Sequence, residues 1–122
     1  MLNFMMGQKA NASRMTPHDA VAKSKTGEVI VVDVRDHNEL MMTGKAEGAV
    51  HIPLSVLQMQ ANPSSPDFHP ALDTSKPIAV YCASGARSSM ATQVLQQFGF
   101  NDVHNIGGLG HWQMAGGEIV QA

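Results

Sequence analysis

Two β-branched runs dominate the chain: Val29-Ile30-Val31-Val32-Asp33-Val34 and Ile78-Ala79-Val80-Tyr81. Neither alternates with polar positions, so each reads as a strand buried on both faces. Shorter strands are predicted at 49–52, closed by Pro53, and at 103–106. Helices fall between them. Thr16 as N-cap, Pro17 at the first helical position and Asp19 in the first turn open one that ends near Lys25, with Gly27 as its stop. Asp36 caps a short helix through Glu39 to Met42, ended by Gly44. Residues 54–60 read as helical. Asn62 to Pro70 holds three prolines and two serines and reads as a loop. The clearest helix follows residue 87. It places Met90, Ala91, Val94, Leu95 and Phe98 on one face and Ser89, Gln93, Gln96 and Gln97 on the other, and Gly99 ends it. Gly107-Gly108 then turns the chain into a short segment carrying Trp112, a packing anchor.

Strands alternating with helices, without an internal repeat, predict an α/β domain with a mostly parallel sheet. Ligands of such sheets sit at the carboxyl ends of the strands. Cys82 directly follows the second buried run.

Length and composition narrow the function. A chain of 122 residues supports one core, and 43% hydrophobic with 15% charged residues is ordinary for a globular domain. A formal charge of −2 makes no electrostatic case for nucleic acid or an anionic membrane. No apolar run approaches the roughly 20 residues of a membrane helix. Ala10-Asn11-Ala12 has the small-residue form of an export cleavage site. The apolar stretch before it is short, however, and no Lys or Arg precedes it. Residues 1–12 therefore read as a disordered or loosely ordered N-terminus and residues 13–122 as the domain. The single cysteine allows no internal disulfide and fits a reducing, cytoplasmic compartment. It also leaves no second thiol in this chain to resolve a product formed on Cys82.

The loop after the second run is Cys82-Ala83-Ser84-Gly85-Ala86-Arg87, then Ser88. A free cysteine is commonly no more than a small buried hydrophobe. Here four small residues follow it, and Gly85 takes positive φ at little cost. Such a loop can curl its backbone N–H groups toward one point, and the next helix adds its N-terminal dipole. Both favour a thiolate, the nucleophilic form. Arg87 brings a permanent positive charge suited to an oxyanion.

Four motifs in order resemble the rhodanese family over residues 13–122. They are Val32-Asp33-Val34-Arg35 with Glu39, Gly48 to Leu54, Val80 to Ser88, and Gly107-Gly108 with Trp112. The resemblance implies a three-layer domain, a central parallel sheet with helices on both faces. It implies that Cys82 takes a sulfane sulfur from a small anionic donor such as thiosulfate, releasing sulfite. The resulting persulfide would pass its outer sulfur to a thiol, cyanide or a protein acceptor. The amides of Ala83, Ser84, Gly85, Ala86 and Arg87 would cradle it, with Ser88 completing the substrate-binding loop, and neither a metal nor an organic cofactor is implied. Tyrosine phosphatases have a similar loop with five residues between Cys and Arg. Four intervene here, a tighter nest that suits sulfur better than a phosphoryl group. The family's usual Gly-His-Ile-Pro-Gly-Ala is replaced by Gly44-Lys45-Ala46-Glu47-Gly48-Ala49, which puts that turn in question.

The remaining residues read as support. Asp33 would accept backbone hydrogen bonds at a strand end, and Arg35 would pair with an acid such as Glu39 or Asp36. Six histidines show neither HxH nor HxxxH spacing, which argues against a metal site. Nine methionines do not cluster at a ligand spacing; Met90 is expected in the core and Met41-Met42 beside the pocket mouth. Three functions compete: a sulfurtransferase, a persulfide carrier with incidental thiosulfate turnover, and a silent binding module. Intact Cys82 and Arg87 argue against the last.

Overall fold

The computed structural model describes residues 14–122. The loose N-terminus expected at 1–12 lies outside them. Four parallel strands form the central sheet: β1 (Ile30–Asp33), β3 (Val50–His51), β4 (Ile78–Cys82) and β5 (Val103–Gly108), in the order β3-β1-β4-β5. β4 is buried along all five residues, as its unbroken apolar run requires.

Alternation along the two central strands divides the core between the faces. Val32, Val34, Ile78, Val80 and Cys82 point to one side, with Ile52, Leu57, Ala91, Leu95 and Phe100. That side is covered by α3 (Leu57–Gln60) and α4 (Ala86–Gln97). Val29, Val31, Ala79 and Tyr81 point to the other, with Ala20, Val21, Ile106 and Trp112. Covering it are α1 (Pro17–Lys25) and α5 (Leu109–Met114). The result is the expected three-layer arrangement, and it places the Cys82 sulfur on the α4 side.

Local chemistry sets the ends of these elements. Thr16 Oγ1 accepts from the Asp19 amide, and Asp19 returns the bond by accepting from the Thr16 amide, which closes the α1 N-terminus. The Trp112 ring is buried, and its Nε1 donates to the Glu118 carbonyl.

Sequence reading missed one piece. β2 (Lys45–Ala46) pairs antiparallel with β6 (Ile119–Val120) in a separate two-stranded sheet. Two-residue strands carry too little periodicity to be read. The questioned turn at 44–49 is closed here by Lys45, whose Nζ donates to the Ala49 carbonyl.

The methionines correct a second reading. Met90 is 59% exposed, because the buried stripe of α4 runs through Ser88, Ala91 and Leu95 and Met90 lies one position off it. A serine occupies the stripe where a hydrophobic residue would be expected. Met41 and Met42, on α2 (His37–Thr43), are also exposed. They line a groove between residues 40–44 and 119–122, which includes none of the Cys82 loop.

Candidate active site

Cys82 ends β4, and the chain turns at once into α4. Gly85 is the pivot. It caps α4 in the left-handed region, at φ 113°, a conformation that disfavours any side chain. This turn brings the Gly85 amide to 3.0 Å from Cys82 Sγ, where it donates a hydrogen bond. Ser88, one turn into the helix, places its Oγ 3.5 Å from the same sulfur.

Opposing effects set the ionisation of Cys82. Burial pushes the thiol up, since the residue is only 1% exposed. The Ser88 hydroxyl and the backbone N–H groups of Ser88, Ser84 and Gly85 push it down. The donors prevail, and the pKa falls from 9.0 to about 7. A large share of the sulfur is then thiolate at neutral pH.

The loop is braced from β5. Asn105 Nδ2 donates to the Gly85 carbonyl at 2.9 Å, and its Oδ1 accepts from Ser88 Oγ at 2.7 Å and from the Gly107 amide at 2.9 Å. Gly108 comes so close that a Cβ there would lie 2.1 Å from the Ala83 carbonyl oxygen. Neither residue was singled out as a loop support from sequence. A signal for Asn105 existed, because asparagine is disfavoured inside a strand and needs a local reason to be there.

Arg87 points to a partner rather than standing open. Its Nη1 and Nη2 donate to Glu39 Oε2 and Oε1 at 2.6 and 2.9 Å. Arg87 holds the Glu39 carboxyl down at about 2, helped by the Asp36 amide, which donates to Oε2. The pairing expected between Arg35 and Glu39 or Asp36 is therefore replaced. Arg35 turns inward to Asp33, donating from Nε and Nη2. It also reaches Thr43 Oγ1 and the Gly44 carbonyl, and its guanidinium lies over the Tyr81 ring, 5.6 Å from the centroid. Asp33, Arg35 and Tyr81 are all buried, and Tyr81 Oη donates to Asp33 while accepting from the Ala46 amide. This network lies on the far face of β4 from the Cys82 sulfur. It ties β1 and β4 to β2, one residue before Cys82.

Among the described residues, no group of three or more His, Cys, Asp or Glu could hold a metal, and no helix is long and apolar enough to cross a membrane. What the site offers is a buried thiol at a strand end, acidified by the hydrogen-bond donors around it.

The chain is similar in sequence and fold to known proteins. The Rhodopseudomonas palustris structure of a protein of unknown function, described as a possible tyrosine phosphatase, is 34% identical with a TM-score of 0.76. That match covers 98% of this chain and 99% of the other. The uncharacterized protein YqhL of Bacillus subtilis is 36% identical over 90 residues, 73% of this chain, which spans only 62% of YqhL. The thiosulfate sulfurtransferase GlpE of Coxiella burnetii is 30% identical over 90 residues, 73% of this chain and 76% of GlpE. Of these three, GlpE is the one named for sulfur transfer. The rhodanese-like domain model matches residues 16–115, taking in β1, the Cys82 loop and Trp112, and the chain belongs to that family.

Proposed function

We propose that this protein is a sulfurtransferase that carries sulfane sulfur as a persulfide on Cys82. The observation that carries the reading is a buried sulfur at a strand end, with the Gly85 amide at 3.0 Å and Ser88 Oγ at 3.5 Å, a setting that favours its thiolate. The Cys82 thiolate attacks the outer sulfur of thiosulfate or a related donor. The donor's S–S bond breaks and sulfite leaves with its electron pair. The charge that was on Sγ now sits on the outer sulfur, within reach of the donors of Ser84, Gly85 and Ser88 that act on Sγ. A thiol, cyanide or protein acceptor then attacks that outer sulfur and releases Cys82 as thiolate. With one cysteine in this sequence, discharge goes to an outside acceptor. Each cycle starts from Cys82 as a free thiolate, which fits a cytoplasmic setting.

Phosphate ester hydrolysis fits less well. Four residues, not five, separate Cys82 from Arg87, and the guanidinium fork is already filled by Glu39. Thiocyanate formation from thiosulfate and cyanide tests the reading, with p-nitrophenyl phosphate as the rival substrate. Wild type should form thiocyanate, Cys82→Ser should form none, and neither should release nitrophenol. Nitrophenol release without thiocyanate would overturn the proposal.

A further inference from the structure

Glu39 lies outside the Cys82 loop yet holds its only charge. Within residues 82–88 the one charged side chain is Arg87. Both of its outer nitrogens are engaged by the two Glu39 oxygens. The carboxylate is itself fixed by the Asp36 amide at the start of α2, 3.0 Å away. The paired side chains are 33% and 31% exposed, so the ion pair faces solvent without being dissolved in it. A guanidinium fork that could grip a sulfonate is thus already occupied by a carboxylate of the same shape.

We propose that Glu39 is a donor-specificity residue: by holding Arg87 it cancels the charge of the loop and turns Cys82 toward low-charge persulfide donors rather than free sulfur oxyanions. The proposal rests on the sulfurtransferase reading and names its donor class. To use Arg87, thiosulfate must compete with an intramolecular carboxylate that stays ionised at any physiological pH. A persulfide R–S–SH needs no such contact. Its access is also easier, because Cys82 is 1% exposed and the persulfide presents its outer sulfur at the end of a slim chain. Thiosulfate instead brings three oxygens beside the transferred atom. In the step itself, Cys82 thiolate attacks the outer sulfur of R–S–SH. The donor S–S bond breaks, R–S⁻ leaves and takes the proton, and the Cys82 persulfide remains as the anion.

The test uses charge as its variable. Alkylation of Cys82 by iodoacetate, an anion, is compared with alkylation by neutral iodoacetamide. In parallel, kcat/KM for thiosulfate is compared with that for hydroxyethyl persulfide, each at low and high salt. Ratios remove any common effect of the thiol's ionisation. In Glu39→Gln the iodoacetate-to-iodoacetamide ratio should rise roughly 2- to 5-fold and the thiosulfate-to-persulfide ratio roughly 3- to 10-fold, as one freed charge requires. Both gains should shrink in about 0.5 M salt. The double variant Glu39→Gln with Arg87→Gln should return both ratios to the wild-type values. A purely structural role would slow all reagents together; unchanged ratios in Glu39→Gln overturn the proposal. A raised alkylation ratio, with no persulfide formed from either donor in wild type, overturns the sulfurtransferase reading and retains Glu39's control of the loop charge.

Discussion

At the scale of single residues, the account turns on how Cys82 is ionised. Its neighbours lower the pKa to about 7 against the effect of burial, and the Ser88 hydroxyl heads the groups that do so. Ser88 Oγ has one proton to give and three takers, Asn105 Oδ1 at 2.7 Å and, both at 3.5 Å, Cys82 Sγ and the Gly107 carbonyl. The shorter contact favours Asn105 while the cysteine is a thiol, and ionisation of the sulfur makes it the better acceptor. Ser88→Ala should therefore raise the apparent pKa of Cys82 by roughly 0.5–1 unit, the worth of one hydrogen bond. The pH profile of iodoacetamide alkylation measures this. An unmoved profile would leave the backbone amides as the whole cause. Cys82, Gly85 and Arg87 could be picked out from the sequence because a nucleophile, a positive-φ residue and a cation follow one another within a single loop. The partners of Arg87 and Ser88 could not, since Glu39 is 48 residues and Asn105 17 residues away along the chain. Sequence reading named Glu39 as a supporting residue but assigned it to the wrong arginine.

At the scale of elements, the strand-to-helix junction places the sulfur, and β5 holds the junction in place. β5 carries one extra residue relative to β4, pairing Val80 with Asn105 but Cys82 with Gly108. That extra residue lets Gly107 take φ 94° and brings Gly108 against the loop backbone. Gly108→Ala would drive a methyl group into the Ala83 carbonyl, an atom that cannot swing aside. The variant should lose about 2 kcal/mol or more of stability by urea unfolding, and its thiol should alkylate more slowly at pH 7. The two long strands and α4 were legible because their hydrophobic patterns are long and of one period. The extended β5 was only partly so. Its two glycines mark a turn in sequence, but here they prolong a strand whose far end must pack against backbone. Met90 misled for a related reason: the α4 stripe is polar at Ser88, where chemistry takes the position that packing would otherwise fill.

For the whole molecule, charge pairing and core packing set the range of conditions in which the site persists. Asp33 and Arg35 are buried together beneath the sheet end, and Glu39 and Arg87 are paired at the rim. The Glu39 carboxyl is ordinarily near 4.5 and is held at about 2 when folded. Its folded pKa is depressed, so its contribution is complete above about 4.5 and is lost as pH falls toward 2. Partial exposure screens this pair, so the effect on Tm is a few degrees. Thermal melts between pH 6 and pH 3 should show wild type losing more Tm than Glu39→Gln, and parallel losses would show that the pair contributes nothing to acid stability.

The central claim is that Cys82 itself holds the travelling sulfur, and intact mass spectrometry reads this directly. Wild type and Cys82→Ser would be incubated with thiosulfate or with a small alkyl persulfide and weighed before and after a thiol reductant. Wild type should gain the mass of one sulfur atom from at least one donor and lose it on reduction, while Cys82→Ser keeps its starting mass. A wild-type protein that gains nothing from either donor, or a Cys82→Ser protein that gains sulfur equally, would contradict the account.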